Sequence, residues 1–387
     1  MAKTTKKNAS VTDQPANKTI KKVVKPRKKT TTKANRADLK FVAGFLLHRS
    51  KRFGIRRSQV VRMVAGLVIV GLVVGSFFVG LGHGSKTKNS EPVKKSHQFY
   101  SVLKNKSGAA AQKLSLLPAV PLTSLTGCEK GSLDVIVAHE DDDLLFMNMD
   151  LASEISAGKC VRTVYITAGD DGHSRGYWGE REHGIQQAYA YMVGADNVWT
   201  EEAASVYGHL ISVRHLVGHP SIGLIFVRLP DGNVNGSGFA SNSYTSLEAL
   251  ATQRIERIST VDGSTTYSYT ELKSLIANIL RVDAPDDIFS QVSKGPQSVG
   301  DHSDHKRVGQ MVAEVREITR PDSRLATFVG YTTNQMDANL SYDQAQQKRE
   351  IFLKYARDDS LICSGDYSCA GESTYQNYFY RKYRNQE

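Results

Sequence analysis

The sequence predicts an α/β domain of Rossmann-like, doubly wound architecture with a mainly parallel sheet, preceded by a disordered basic tail and one transmembrane helix. Three observations carry that prediction: a change of charge along the chain, one long uncharged run, and downstream a series of apolar runs alternating with helically spaced residues.

The charge changes first. The whole chain of 387 residues has a formal net charge of +11, yet residues 1–62 hold 19 Lys and Arg against Asp13 and Asp38 alone, so everything beyond them is net acidic. The first part is rich in Lys, Thr, Asn and Ala and poor in large apolar residues, the composition of a disordered tail, assigned to residues 1–57. Anionic lipid beside a membrane span accounts for its charge more simply than nucleic acid, which is not an expected partner.

The uncharged run follows. "MVAGLVIVGLVVGSFFVGL" (Met63–Leu81) has no charge and, as a helix, the length to cross the hydrocarbon layer, so residues 60–82 are read as a transmembrane helix. A basic stretch of some sixty residues is too long to precede a cleaved signal sequence, and no small-residue cleavage pattern follows. Arg49, Lys51, Arg52, Arg56, Arg57 and Arg62 lie on its N-terminal side, and the positive-inside bias leaves that side cytoplasmic. The expected localisation is therefore a single-pass membrane protein whose C-terminal domain is extracytoplasmic. All four cysteines, Cys128, Cys160, Cys363 and Cys369, lie on that outward side, as disulfides in an oxidising compartment would. Of three pairings, Cys128–Cys160 with Cys363–Cys369 is preferred: the first two each precede a predicted strand and the last two bracket the short loop "SGDYS".

Residues 83–127 mix Gly, Ser, Lys and Pro with short apolar pieces such as "LSLLPAV" and read as a linker, which starts the folded domain, 128–387, at Cys128. There "LDVIVA" (133–138), "VRTVYITA" (161–168), "IGLIFVRL" (222–229) and "LATFVGY" (325–331) are β-branched, apolar runs of the type buried on both faces of a parallel sheet. Between them Ile185, Ala188, Tyr189 and Met192 share one helical face, and Val308, Val312, Val315 and Ile318 or its neighbours another. Strand and helix in alternation predict helices on both sides of the sheet.

In such sheets ligands bind beyond the carboxyl ends of the strands. "AHEDDD" (138–143) begins where the first strand ends, and "TAGDDGHSRG" (167–176) follows the second, so both acidic loops face one crevice. Four consecutive carboxylates repel one another unless a cation compensates them. "DHSDHKRVGQMV" (301–312) supplies His302 and His305 three residues apart, on one side of a first helical turn. Histidine and carboxylate ligands with an open water position suit catalytic zinc. His173, Asp170 and Asp171 line the mouth of the crevice without an assigned role. "VDGSTTYSYTEL" lacks the glycine of a calcium loop, and "LPDGNVNGSGF" lacks the lysine of a phosphate loop.

"AHEDDDLLF" resembles the AHPDDE-type signature of the PIG-L (LmbE-like) zinc-dependent de-N-acetylases of N-acetylglucosamine-containing substrates. The resemblance runs on through "TAGDDG", "GYWGEREHGIQQAYAYMVGA", "VRLPDGN" and "HSDHKRVG", over roughly residues 133–312 and in the family's order. Glu140 replaces a common proline and Asp143 a common glutamate, departures that affect the loop's shape and the groups around the ligands rather than the ligands themselves. The resemblance implies that His139, Asp142 and His305 hold Zn2+ or another divalent metal. It also implies that Asp141 is the general base and that His302 supports the oxyanion and protonates the leaving amine, while Arg181 and Asp231 contact substrate. Arg181 and Glu182 are read as beginning a helix after the second acidic loop. Glu140 and Asp143 either orient ligands or face water. The expected function is a membrane-anchored, extracytoplasmic zinc-dependent amidohydrolase acting on an N-acetylated glycan or glycolipid. Two alternatives stand beside it: a glycan-binding module that has lost turnover, and a metal-dependent glycosyltransferase that uses the acidic run.

Overall fold

The computed structural model describes residues 117–173, 175–362 and 373–386. The basic tail, the predicted span, nearly all of the predicted linker, and Cys363 and Cys369 lie outside the described residues. Among the described residues no helix is long and apolar enough to cross a membrane.

The strands are β1 (Ala119–Pro121), β2 (Ser132–Val137), β3 (Cys160–Thr167), β4 (Trp199–Val206), β5 (His209–Leu216), β6 (Ile222–Leu229), the short pair β7 (Ile258–Ser259) and β8 (Thr266–Tyr267), β9 (Asp287–Gln291), β10 (Arg324–Phe328) and β11 (Arg384–Gln386). All but β7 and β8 form one nine-stranded sheet in the order β1-β4-β5-β6-β3-β2-β9-β10-β11. Its centre, from β6 through β3, β2 and β9 to β10, is parallel. β5 runs antiparallel to both β4 and β6, and β11 antiparallel to β10.

The helices are α1 (Asn148–Ser156), α2 (Arg175–Val193), α3 (Leu247–Ala251), α4 (Tyr269–Asp283), α5 (Ser303–Thr319), α6 (Tyr342–Ala356) and α7 (Ser373–Phe379). Alternate residues of each central strand point to opposite sides. Leu133, Val135 and Val137 of β2 join a core with Leu151, Ile185, Tyr189 and Phe352 from α1, α2 and α6. Ile136 joins a second core with Leu272, Ile276, Val308 and Val312 from α4 and α5. The sheet is thus covered by helices on both faces, which is why its central strands read as unbroken apolar runs.

Four expectations change. The sheet starts before Cys128, because Ala119–Pro121 of the predicted linker pairs with β4. Ile318 is exposed on α5, and Met311, wholly buried, fills the apolar face with Val308, Val312 and Val315. The β4–β5 hairpin and β9 were not expected, because "WTEEAASV" and "HLISVRHL" are half-exposed and polar, while β9 is only "DIFSQ". Arg181 and Glu182 sit within α2 rather than at its start.

Among the described residues the disulfide Cys128–Cys160, with a Cα–Cα distance of 5.0 Å, ties the segment before β2 to the first residue of β3.

Candidate active site

The four acids after β2 lead separate lives. Asp143 and Leu144–Met147 form a π-helical turn that runs into α1. The Asp143 carboxylate accepts from the Tyr165 hydroxyl at 2.9 Å and the Tyr189 hydroxyl at 2.7 Å, and burial pushes it up to about 7. Glu140 is fully buried with neither carboxylate oxygen hydrogen-bonded. Burial holds it well above the ordinary carboxylate range, against the pull of the Arg181 guanidinium 3.8 Å away. Neither residue faces water, contrary to one sequence expectation: the apolar run that precedes them carries the whole loop inside.

Asp142 and Asp141 point to the crevice. Asp142 Oδ2 accepts from the His139 backbone N–H and from Gln291 Nε2, each at 2.7 Å. Its Oδ1 is buried without a hydrogen-bond donor and lies 2.9 Å from His305 Nε2. His139 Nδ1 closes the triangle, 3.2 Å from His305 Nε2 and 3.3 Å from Asp142 Oδ2. Ligand bonds of about 2.0–2.1 Å in a tetrahedral site put donor atoms about 3.3 Å apart. Two imidazole nitrogens and one carboxylate at that spacing, with Asp142 Oδ1 left without a donor beside His305 Nε2, fit a divalent metal.

The outer nitrogens agree. His305 Nδ1 is 3.0 Å from Asp301 Oδ1, a carboxylate that can only accept, so Nδ1 carries the proton and Nε2 presents its lone pair inward. His139 Nε2 faces Asp304 Oδ2 at 3.5 Å and Asp231 Oδ2 at 3.6 Å, leaving Nδ1 for the cluster. Although burial opposes it, Asp142 raises both imidazoles above their ordinary range, His305 to about 10: the cluster attracts positive charge. A second grouping, His139, Asp231, His302 and Asp304, also brings possible donor atoms together. There the spacings are 3.5–3.8 Å, wider than in the first grouping, which therefore fits better.

His302 is the N-cap of α5, its Nδ1 accepting from the Asp304 backbone N–H at 3.1 Å. A backbone N–H can only donate, so in the neutral ring the proton sits on Nε2, the atom 3.7 Å from Asp231 Oδ1. Burial, with the neighbouring His139 charge, lowers His302 to about 4. Asp141 Oδ1 receives the Arg181 Nη2 at 2.7 Å, and the same guanidinium donates to the Gly169 carbonyl at 2.6 Å and the Tyr355 hydroxyl at 2.7 Å.

His139, Asp141, Arg181, Asp231 and His302 border one cavity of ≈ 300 Å³, with Tyr177, Phe239, Tyr331 and Tyr375 on its wall. The structure therefore brings together every site residue expected from sequence except the cysteines. His173 is half-exposed, 3.7 Å from Asp171. Sequence reasoning missed Asp301, Asp304 and Gln291. The two acids lay in the quoted "DHSDH" and could have been read as partners of its histidines; Gln291 offered no signal.

Histidines and carboxylates thus gather beyond the carboxyl ends of the parallel strands of an α/β fold. Residues 135–316 match the PIG-L family model, described as GlcNAc-PI de-N-acetylase. The chain carries a domain of that family and is an enzyme of the carbohydrate de-N-acetylase class. No curated protein matches it. Among solved structures it is similar to the N,N'-diacetylchitobiose deacetylase of Pyrococcus horikoshii, at 13% identity over 74% of this chain and 86% of that one, with a TM-score of 0.38. It is also similar to teicoplanin deacetylase Orf2 in its zinc-inhibited form, at 11% identity, covering 62% and 90%, with a TM-score of 0.36. A third is the 4-carboxy-2-hydroxymuconate hydratase GalB of Pseudomonas putida KT2440, at 14% identity, covering 64% and 82%, with a TM-score of 0.35. At these scores the likenesses carry no inference about substrate or reaction.

Proposed function

We propose that the protein is a membrane-anchored, extracytoplasmic, zinc-dependent de-N-acetylase that hydrolyses the acetamide of an N-acetylglucosamine-type sugar in a surface glycan or glycolipid. The observation that carries the chemistry is the convergence of His139, Asp142 and His305 on one point beside Asp141 and His302. Those three residues would hold the metal, which when bound supplies an activated water and polarises the amide carbonyl.

The chain's own groups do the rest. Asp141 Oδ2, free of the Arg181 contact, takes the proton of the attacking water. His302 Nε2–H donates to the carbonyl oxygen as negative charge develops on it. With Nδ1 tied to a backbone N–H and the ring held neutral, His302 serves as a donor of a hydrogen bond rather than as a source of the amine's proton. That proton returns from Asp141 to the leaving nitrogen, and acetate and the free amine are the products. Arg181 steadies Asp141, and Asp231, facing both His139 and His302, is placed to meet a sugar hydroxyl.

Anchoring rests on the uncharged stretch Met63–Leu81 and its basic flank, and the outward side on that charge bias together with the Cys128–Cys160 disulfide. Acetate release from N-acetylglucosamine oligomers by the full chain tests the activity. Asp141→Asn lowers it by about 10²–10⁴-fold while bound metal, measured by elemental analysis, stays constant. Bound metal without release from any glycan would instead favour a glycan-binding module. Protease added to intact cells tests the topology and should remove the C-terminal domain.

A further inference from the structure

From the charge of the cavity we infer that this enzyme selects glycans that are neutral or carry free amines at the reacting end and rejects phosphorylated ones, with Asp171 as a specificity-determining residue. The inference rests on the de-N-acetylase reading and narrows its substrate. It is not what the phosphoinositide in the matched family's description suggests.

Among the described residues lining the cavity there are four carboxylates, Asp141, Asp171, Asp231 and Asp359, and Arg181 is the sole Arg or Lys. The charge of Arg181 is already shared among several carboxylates. Its guanidinium is 2.7 Å from Asp141, 3.4 Å from Asp359 and 3.8 Å from Glu140, and it also donates to Gly169 and Tyr355. A divalent ion held by His139, Asp142 and His305 is matched by Asp142 and by Asp301 behind His305. Asp231 and Asp171 then stand uncompensated. Asp231 faces imidazoles that are hydrogen-bond partners at best, and among the described residues Asp171, half-exposed at the rim, faces His173, 3.7 Å away and itself half-exposed.

Among the described residues lining the cavity no cation is free to pair with a phosphate on the sugar, which would enter a cleft whose low-dielectric walls focus the potential. Rejection through like charge needs no steric barrier. The aromatic wall of Tyr177, Phe239 and Tyr331 offers apolar faces that suit an uncharged pyranose.

The test compares the N-acetylglucosamine dimer as its methyl glycoside and as its 1-phosphate, both on the metal-loaded full chain. Calorimetry gives affinity and acetate release gives kcat/KM. The expected result is preference for the methyl glycoside by about tenfold or more at low ionic strength, shrinking several-fold at high salt and shrinking again in Asp171→Asn. The dimer with one acetyl group already removed binds at least as tightly as the methyl glycoside. Equal or tighter binding of the phosphate, or no measurable binding by either sugar, overturns the proposal. A preference that neither salt nor Asp171→Asn alters overturns it too, since steric exclusion would behave that way. The affinity order with no acetate released from any sugar would leave charge selection standing and remove the catalytic reading.

Discussion

Asp301 shows how much a single side chain outside the reacting group can control. Its Oδ1 accepts from the backbone N–H groups of His302 and Tyr331, each at 2.9 Å, and faces His305 Nδ1 at 3.0 Å. One oxygen therefore joins the start of α5, the segment after β10 and the tautomer of the imidazole proposed to hold the metal. Asp301→Asn presents an amide that can turn its NH₂ toward Nδ1 and invert the preferred tautomer. Loss of such a partner weakens metal binding by about 10–100-fold, and competition with a chromophoric chelator reads this directly. Unchanged affinity would show that Asp301 is only a helix-start residue. The same scale explains what could be read in advance. His139, Asp142, His302 and His305 announce themselves because imidazole beside carboxylate has few other uses at strand and helix ends. Asp301 and Asp304 did not, since an acid near a helix N-terminus is ordinary capping chemistry.

At the scale of elements, the packing of α5 on β9 sets the site's dimensions. A Cβ at Gly309 would lie 2.0 Å from the Gln291 carbonyl oxygen, so the helix touches the strand backbone there. One turn earlier the helix carries His305, and the Gln291 side chain holds both Asp142 Oδ2 and the Ala138 N–H. Gly309→Ala must push helix and strand apart. Overpacking of this kind costs about 1–3 kcal/mol, seen as a lower urea midpoint, and it separates His305 from Asp142, seen as reduced metal content. A variant with normal stability and a full complement of metal would refute the role given to this contact. Element prediction succeeded where burial is two-sided, as in β2, β3 and β6. It failed for β9, whose Ser290 and Gln291 are buried only because Ser290 Oγ donates to the Ile136 carbonyl and Gln291 serves the site. The β4–β5 hairpin failed for the opposite reason, as half of it faces solvent.

At the scale of the whole molecule, the C-terminal segment is held by one buried cation. Lys348 of α6 donates to the carbonyls of Tyr378 and Arg381, at 2.8 and 2.7 Å. No carboxylate is among the groups that shift it, and burial, aided by Lys382, brings it down to about 7. Unfolded, a lysine titrates near 10.4. Its folded value is the lower one, so the unfolded state binds more protons between those limits and stability rises with pH across them. The contribution is full above the unfolded value and is lost as pH falls through about 7. The slope is on the order of 1 kcal/mol per pH unit. Urea midpoints from pH 7 to 9.5 should climb, and Lys348→Met should flatten that climb; equal slopes in the two proteins would contradict it. The charge asymmetry between the first 62 residues and the rest was plain in the sequence, whereas this lysine gave no sign there, because its burial depends on where α7 docks.

The Cys128–Cys160 bridge acts as a clasp at one end of a zipper. β2 and β3 pair from Ser132 with Cys160 upward, and the loops carrying Asp141 and Gly169 hang from their far ends. With the lower teeth fastened, these two strands can part only from the top, where Arg181 already ties the Asp141 loop to Gly169. In a thiol-rich medium the clasp would open, and the same pair could unravel from below.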